Sequence, residues 1–162
     1  MSDLIDRAQR QWGEMWPELD TSAMAVTGRV LRLASLIRRG LDELLAGYDL
    51  NRAEFELLCA LRRSGVLNPG QISREMLASG AAITKRLDRL ARLGLVSRTA
   101  SERDRRVIQV RLTDHGVALI DQLLPRQMEA EKAVLANLSR NEHDQLAGLL
   151  STVLRTVSGF TA

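Results

Sequence analysis

A mainly α chain carrying one small β-hairpin is the fold class that this sequence predicts, and three observations lead to it. Leu, Ala, Arg and Glu are plentiful while aromatic residues make up 3% and prolines number three, a mix that favours helices over sheets. Apolar residues recur at threes and fours through most of the chain, the spacing of one helix face. Only around residues 96–112 does that spacing give way to alternation, the mark of strands. With 162 residues and 45% hydrophobic side chains, one domain with a sizeable core is expected.

The elements follow in order. Residues 3–16 form a short amphipathic helix that stops before Pro17, because a proline disfavours α geometry in the residue ahead of it. This helix reads as an appendage. After the polar break Asp20-Thr21-Ser22, Val26, Val30, Leu33, Leu36, Ile37, Leu41 and Leu44 mark a long helix with one apolar stripe. Asn51 and Glu54 fit a capping box for a helix whose apolar side is Phe55, Leu58, Cys59 and Leu61, ending near Gly65 with Arg62 and Arg63 in its last turn. Asn68-Pro69 restarts the chain as an N-cap followed by proline at the first helical position, giving a short helix to about Met76. Ser79 caps a further helix over residues 80–92. Beyond Gly94, Val96, Arg98 and Ala100 mark one strand and Val107, Ile108, Val110 and Leu112 another. Thr113 caps a helix with Leu119, Ile120, Leu123 and Leu124 on one side, expected to be interrupted by Pro125. Ser139 and Glu142 make a capping box for the last helix, which bears Leu146, Leu149, Leu150, Val153, Leu154 and Val157.

Charge is concentrated in one place. Residues 79–111 hold nine of the twenty-three Lys and Arg residues against Asp88, Glu102 and Asp104, so this stretch is +6 while the whole chain is +3 and the remainder sums to −3. Such an imbalance points to a polyanion docked on one face, and double-stranded DNA is the polyanion expected. Two short helices with a tight turn, the second capped and basic, form a helix-turn-helix pattern, and the arginine-tipped hairpin that follows makes it a winged one.

On the second helix, Ile83, Leu87 and Leu90 line the side expected to face the core. Ser79, Ala81, Thr84 and Lys85 present small or polar groups towards a DNA groove, with Arg89 in support, and Asp88 lies on the same side. Arg86 falls beside the apolar stripe, so its stem lies over the core with the head in water, or it borders a pocket for an acidic ligand. In the hairpin turn, Arg103, Arg105 and Arg106 are expected at phosphates or in a minor groove, with Asp104 holding one arginine in place.

Other classes fare worse. One cysteine allows no internal disulfide, two isolated histidines give no zinc spacing, and no cofactor is expected. No Gly-rich phosphate loop and no G-x-S-x-G motif occur, so an enzyme is not predicted. No apolar run approaches a membrane span and the first residues lack the apolar segment of a secretion signal, so no membrane partner and a cytoplasmic location are expected.

The stretch PGQISREMLASGAAITKRLDRLARLGLVSRTASERDRRVIQVRLTDHG, residues 69–116, resembles the multiple-antibiotic-resistance regulator (MarR) family of winged-helix repressors. Its D-x-R wing pattern stands as Asp104-Arg105-Arg106 and its L-T-x-x-G helix start as Leu112 to Gly116. The resemblance implies a homodimer on a pseudo-palindromic operator. It divides the chain into residues 1–50, N-terminal helices for dimerisation and a ligand-pocket wall; 51–113, the DNA-binding winged helix-turn-helix; and 114–162, C-terminal dimerisation helices. The apolar stripes of the long helices fit such a pairing.

An additional N-terminal helix is similar to the branch of urate-responsive regulators, in which a tryptophan, an acidic residue and two arginines surround a small organic anion. The matching positions are Trp12, Glu56, Arg86 and Arg98, with Glu56 standing where that branch has aspartate and Trp16 competing with Trp12. Trp12 can equally anchor its helix, and Glu56 can be a surface ion pair. The alternative reading is a redox-sensing regulator acting through Cys59, which sits among Phe55, Leu58 and Leu61 as a buried thiol but has Arg62 and Arg63 one turn away to stabilise a thiolate. Non-specific nucleic-acid architecture is a further alternative, separated by the ratio of specific to random affinity.

Overall fold

The computed structural model describes residues 3–100, 104 and 106–158, in two compact units divided between Ile120 and Asp121. The first unit opens with α1 (Leu4–Met15) and α2 (Met24–Ala46). Asp3 caps α1 by accepting the N–H groups of Ile5 and Asp6, while the Asp6 carboxylate takes the N–H of Asp3. α1 is more than the expected appendage. Arg29 of α2 donates to the carboxylates of Asp3 and Asp6, and Gln9 Nε2 donates to the Thr21 carbonyl at 2.8 Å. At Gly28 a Cβ would fall 2.9 Å from Ile5 Cδ1, so the missing side chain lets the two helices meet.

α3 (Arg52–Ser64) ends at Gly65, whose φ of 73° is the left-handed geometry that glycine adopts without a Cβ penalty. The next two residues, Val66–Leu67, form β1, a strand that the sequence reading left out. Then come α4 (Pro69–Glu75), α5 (Gly80–Arg92), β2 (Val96–Ala100) and β3 (Ile108–Leu112). The expected hairpin is therefore two strands of a three-stranded antiparallel sheet in the order β1-β3-β2, with Val66 opposite Arg111 and Val96 opposite Leu112. A two-residue strand has no alternation to read. It exists because the free edge of β3 passes beside it.

Phe55, Leu57, Leu58 and Leu61 from α3, Ile72 from α4, and Ile83, Leu87 and Leu90 from α5 are at most 2% exposed and fill the core with Leu95, which precedes β2, and with Val96 and Val110 from the sheet. Cys59 is among these buried residues.

α6 (Asp114–Val134) begins where Thr113 Oγ1 accepts the N–H of Gly116 and donates to the Gly94 carbonyl. A Cβ on Gly116 would sit 2.1 Å from the Leu95 carbonyl oxygen, so the start of α6 lies against the backbone entering β2 only because residue 116 has no side chain. The helix is not interrupted at Pro125 as expected but runs through it. Proline withholds one N–H and crowds the carbonyl four residues back, costing ~3 kcal/mol, yet strong helix formers on both sides carry the turns across.

The second unit contains the rest of α6 and α7 (Arg140–Ser158), whose N-terminus is the expected capping box: Glu142 Oε2 accepts the Ser139 N–H at 2.8 Å and its hydroxyl at 2.6 Å. Among the described residues, no helix is long and apolar enough to cross a membrane.

Candidate nucleic-acid interface

α4 and α5 form the helix-turn-helix. Asn68 and Gln71 exchange side-chain and backbone hydrogen bonds at 2.8 and 2.9 Å, and Pro69 takes the first turn of α4, where its missing N–H costs nothing. The turn is closed by the Ser73 hydroxyl, which donates to the Ala78 carbonyl, and by Leu77 at φ 48°. Ser79 then caps α5 by accepting the N–H of Ala82 at 3.3 Å.

α5 sorts its residues as helical spacing requires. Ile83, Leu87 and Leu90 are buried against the core, while Ser79, Ala81, Thr84, Lys85 and Asp88 are exposed. Thr84 returns its hydroxyl proton to the Gly80 carbonyl. Among the described residues Lys85 has no ion-pair partner, and the half-buried Arg86 has neither ion pair nor side-chain hydrogen bond. The N-terminal half of α5 thus presents small groups and an uncompensated ammonium to solvent.

The C-terminal half is tied down on two sides. Asp88 Oδ1 lies 2.7 Å from an Arg98 guanidinium nitrogen, linking α5 to β2, and the other terminal nitrogen of Arg98 reaches the Thr84 carbonyl at 3.5 Å. Arg89 departs from its expected place beside the DNA-facing residues. One terminal nitrogen donates to Glu54 Oε2 at 2.6 Å, and the other donates to both the carbonyl and the carboxylate of Asp49 at 2.7 Å. Spacing placed Arg89 one turn after Lys85, hence on the same side, but its long stem leans to α3 because an otherwise unbalanced carboxylate waits there.

Glu54 and Asp49 are residues that sequence reasoning missed in this role. The capping box explained Glu54 locally, and nothing in the sequence marks a contact 35 positions away. Gly116 was recognised only as part of a motif.

The wing is described in part. Asp104 Oδ1 accepts the backbone N–H of Arg106 at 2.9 Å, so it holds that residue's main chain rather than its guanidinium, and Arg106 is exposed. Arg103 and Arg105 lie outside the described residues.

The four positions assigned to a ligand are dispersed over three helices and a strand. Trp12 is 41% exposed and borders a shallow depression with Ala8, Gln11, Glu14 and Met15, all from α1. Glu56 is exposed on α3. Among the described residues, no hydrogen bond or ion pair joins Trp12, Glu56, Arg86 and Arg98 to one another.

Cys59 is 8% exposed, and burial pushes its thiol up to about 11, with Glu56 adding to the rise and Arg63 opposing it. Desolvation outweighs the arginine, so the group stays a neutral thiol near pH 7, and nothing here favours the redox alternative.

A capped, solvent-facing basic helix after a short helix and turn, followed by a hairpin on the edge of a three-stranded sheet, defines a winged helix-turn-helix protein. The MarR family model matches residues 50–108. The HTH-type transcriptional regulator PecS of Dickeya dadantii (strain 3937) is 36% identical over 94% of this chain and 92% of its own length, and the multiple antibiotic resistance protein MarR of Escherichia coli (strain K12) is 30% identical over 78% and 90%. A cysteine-to-serine variant of E. coli MarR, solved with operator DNA, superposes with a TM-score of 0.67 at 27% identity over 94% of this chain and 99% of that one. This chain belongs to the MarR family, and these relatives are transcriptional regulators.

Proposed function

We propose that this protein is a repressor that binds a pseudo-palindromic DNA operator as a homodimer and is released by a small organic anion, urate or a related acid. The single observation that carries the DNA reading is the capped N-terminal half of α5, where Ser79, Ala81, Thr84 and Lys85 face solvent over a buried Ile83, Leu87 and Leu90. Small and polar groups there permit close approach to base edges, and Lys85 meets phosphate or base. The solved complex of the E. coli relative with operator DNA supports the same use of the fold. Residues 51–113 carry DNA binding in this reading, with Arg103, Arg105 and Arg106 at the wing, while residues 1–50 and 114–162 carry self-association.

The apolar residues Val30, Leu33, Leu36 and Ile37 of α2, and Leu149, Leu150 and Val153 of α7, are all at least 36% exposed, which supports pairing with a second copy. If each protomer neutralises three or four phosphates, the slope of log affinity against log salt is about −6 or steeper for the dimer. Fluorescence anisotropy on the duplex upstream of the protein's own gene, titrated with salt, tests this. Affinity that ignores salt, or that fails to exceed random DNA by ~10³-fold, refutes specific binding.

For the effector, the guanidinium of Arg86 on the DNA-reading helix, which has no ion pair or side-chain hydrogen bond among the described residues, supports a pocket formed with Trp12, Glu56 and Arg98. An anion that draws Arg86 towards itself shifts α5 in its groove, a coupling of roughly 1 to 3 kcal/mol. Arg98 must first leave Asp88, which its guanidinium meets at 2.7 Å. Arg86→Ala is expected to keep operator binding and lose the response to urate. A full response in that variant refutes the route.

A further inference from the structure

Arg89 is an exposed-face arginine by spacing, yet both terminal nitrogens of its guanidinium are bound by carboxylates and a carbonyl of the same chain. Glu54 is 2% exposed, and its Oε2 receives the Asn51 N–H at 3.0 Å as well as Arg89 at 2.6 Å. A carboxylate so far from water requires a fixed cation, and Arg89 is the one that reaches it. The second arm of the fork holds Asp49, a residue with φ 51° in the turn after α2, through both its carbonyl and its side chain. One planar side chain therefore clamps α5 to the cap of α3 and to the turn that ends α2. A guanidinium can do this bidentately where an ammonium cannot.

We propose that Arg89 is a positioning residue for DNA recognition: it contacts no phosphate, and through Glu54 and Asp49 it sets the angle at which Thr84 and Lys85 enter the groove. The inference rests on the DNA-binding reading above. It assigns to Glu54, an acidic residue buried far from solvent, a requirement in binding a polyanion. Simple electrostatics predicts the opposite, since removing a negative charge strengthens attraction to DNA.

The test uses two labelled duplexes, one recovered by in-vitro selection with the wild-type protein and one scrambled to the same composition, with full-length Arg89→Gln, Glu54→Gln and the double variant. Each single variant is expected to lose about tenfold or more on the selected duplex, the size of a pair interaction in a shared network, and the double variant to lose no more than the worse single. Glu54→Gln should bind the scrambled duplex at least as well as wild type. For Arg89→Gln the salt slope should match wild type, whereas loss of a phosphate contact would lower it by ~0.9 per contact. Selected-duplex binding by Glu54→Gln equal to or tighter than wild type, or additive losses in the double variant, overturns the assignment. If thermal melting shows Glu54→Gln unfolded, Asp49→Asn decides: this exposed carboxylate tolerates replacement, asparagine accepts the positive φ, and a smaller loss confined to the selected duplex is required. Wild-type protein that separates neither duplex from the other removes the DNA reading and the clamp together, whereas failure of the clamp alone leaves wild-type discrimination intact.

Discussion

On α3 the side chains of Phe55, Leu57, Leu58 and Leu61 are 0 to 2% exposed, whereas on α2 Val26 is 57%, Val30 41%, Leu33 41% and Leu36 45% exposed, although both helices repeat apolar residues at threes and fours. α7 behaves like α2, with Leu149 at 68% and Val153 at 53%. Periodicity states which side of a helix is apolar, and it is silent on what covers that side. For α3 the cover is the sheet, through β3 and β1, within the same unit of the chain. On α2 and on α7 apolar side chains are left exposed, and under the homodimer proposed above these are the surfaces of association.

Replacing one leucine on each helix separates the two settings most sharply. Leu58→Ala, at a site with no exposure, should destabilise by about 2–5 kcal/mol in urea unfolding, with a shift that does not depend on protein concentration. A cost below 1 kcal/mol would show that α3 does not hold the core. Gly116→Ala comes next: its Cβ meets the Leu95 carbonyl at 2.1 Å, and moving backbone aside should cost roughly 1–3 kcal/mol, readable in the same unfolding experiment. If the chain pairs as proposed, Leu33→Glu on α2 should leave a folded chain but raise the dimer dissociation constant tenfold or more, ~1.4 kcal/mol, seen by static light scattering across a dilution series. An unchanged dimer would remove α2 from the interface.

The smallest effect concerns the attachment of α1. The Asp6 N–H foremost, with Arg29, holds the Asp3 carboxyl below its ordinary value of 3.8, and the Asp3 N–H with Arg29 does the same for Asp6. A depressed folded value means that the stabilisation is present above 3.8 and is lost as pH falls below it through the folded values. Trp12 and Trp16 fluorescence should therefore report loosening of α1 only in that acid range, with no change between pH 5 and 8. Cys59, neutral and 8% exposed, should resist iodoacetamide at pH 7 until the chain unfolds.

Much of the fold was legible because its signals are local. Asp3, Asn51, Asn68, Ser79 and Ser139 each satisfy N–H groups two or three residues away, so helix starts could be placed from neighbours alone. The buried face of α5 followed from spacing for the same reason. What escaped was mostly non-local. β1 required the edge of β3, whereas the passage of α6 through Pro125 was a local balance, in which flanking helix formers outweighed one lost bond. The carboxylate partners of Arg89 could not be read because they lie 35 and 40 positions earlier.

By itself, then, the chain determined where helices begin, which of their sides are apolar and that positive charge gathers on the second helix and wing. Tertiary structure decided how those charges are spent: Lys85 is left to solvent, while Asp88 and Arg89 are bound to β2 and to the α2–α3 corner. The reason is range. Caps and periodicity act over one or two turns, whereas a buried carboxylate such as Glu54 finds its counter-ion only when folding brings distant segments within hydrogen-bonding distance.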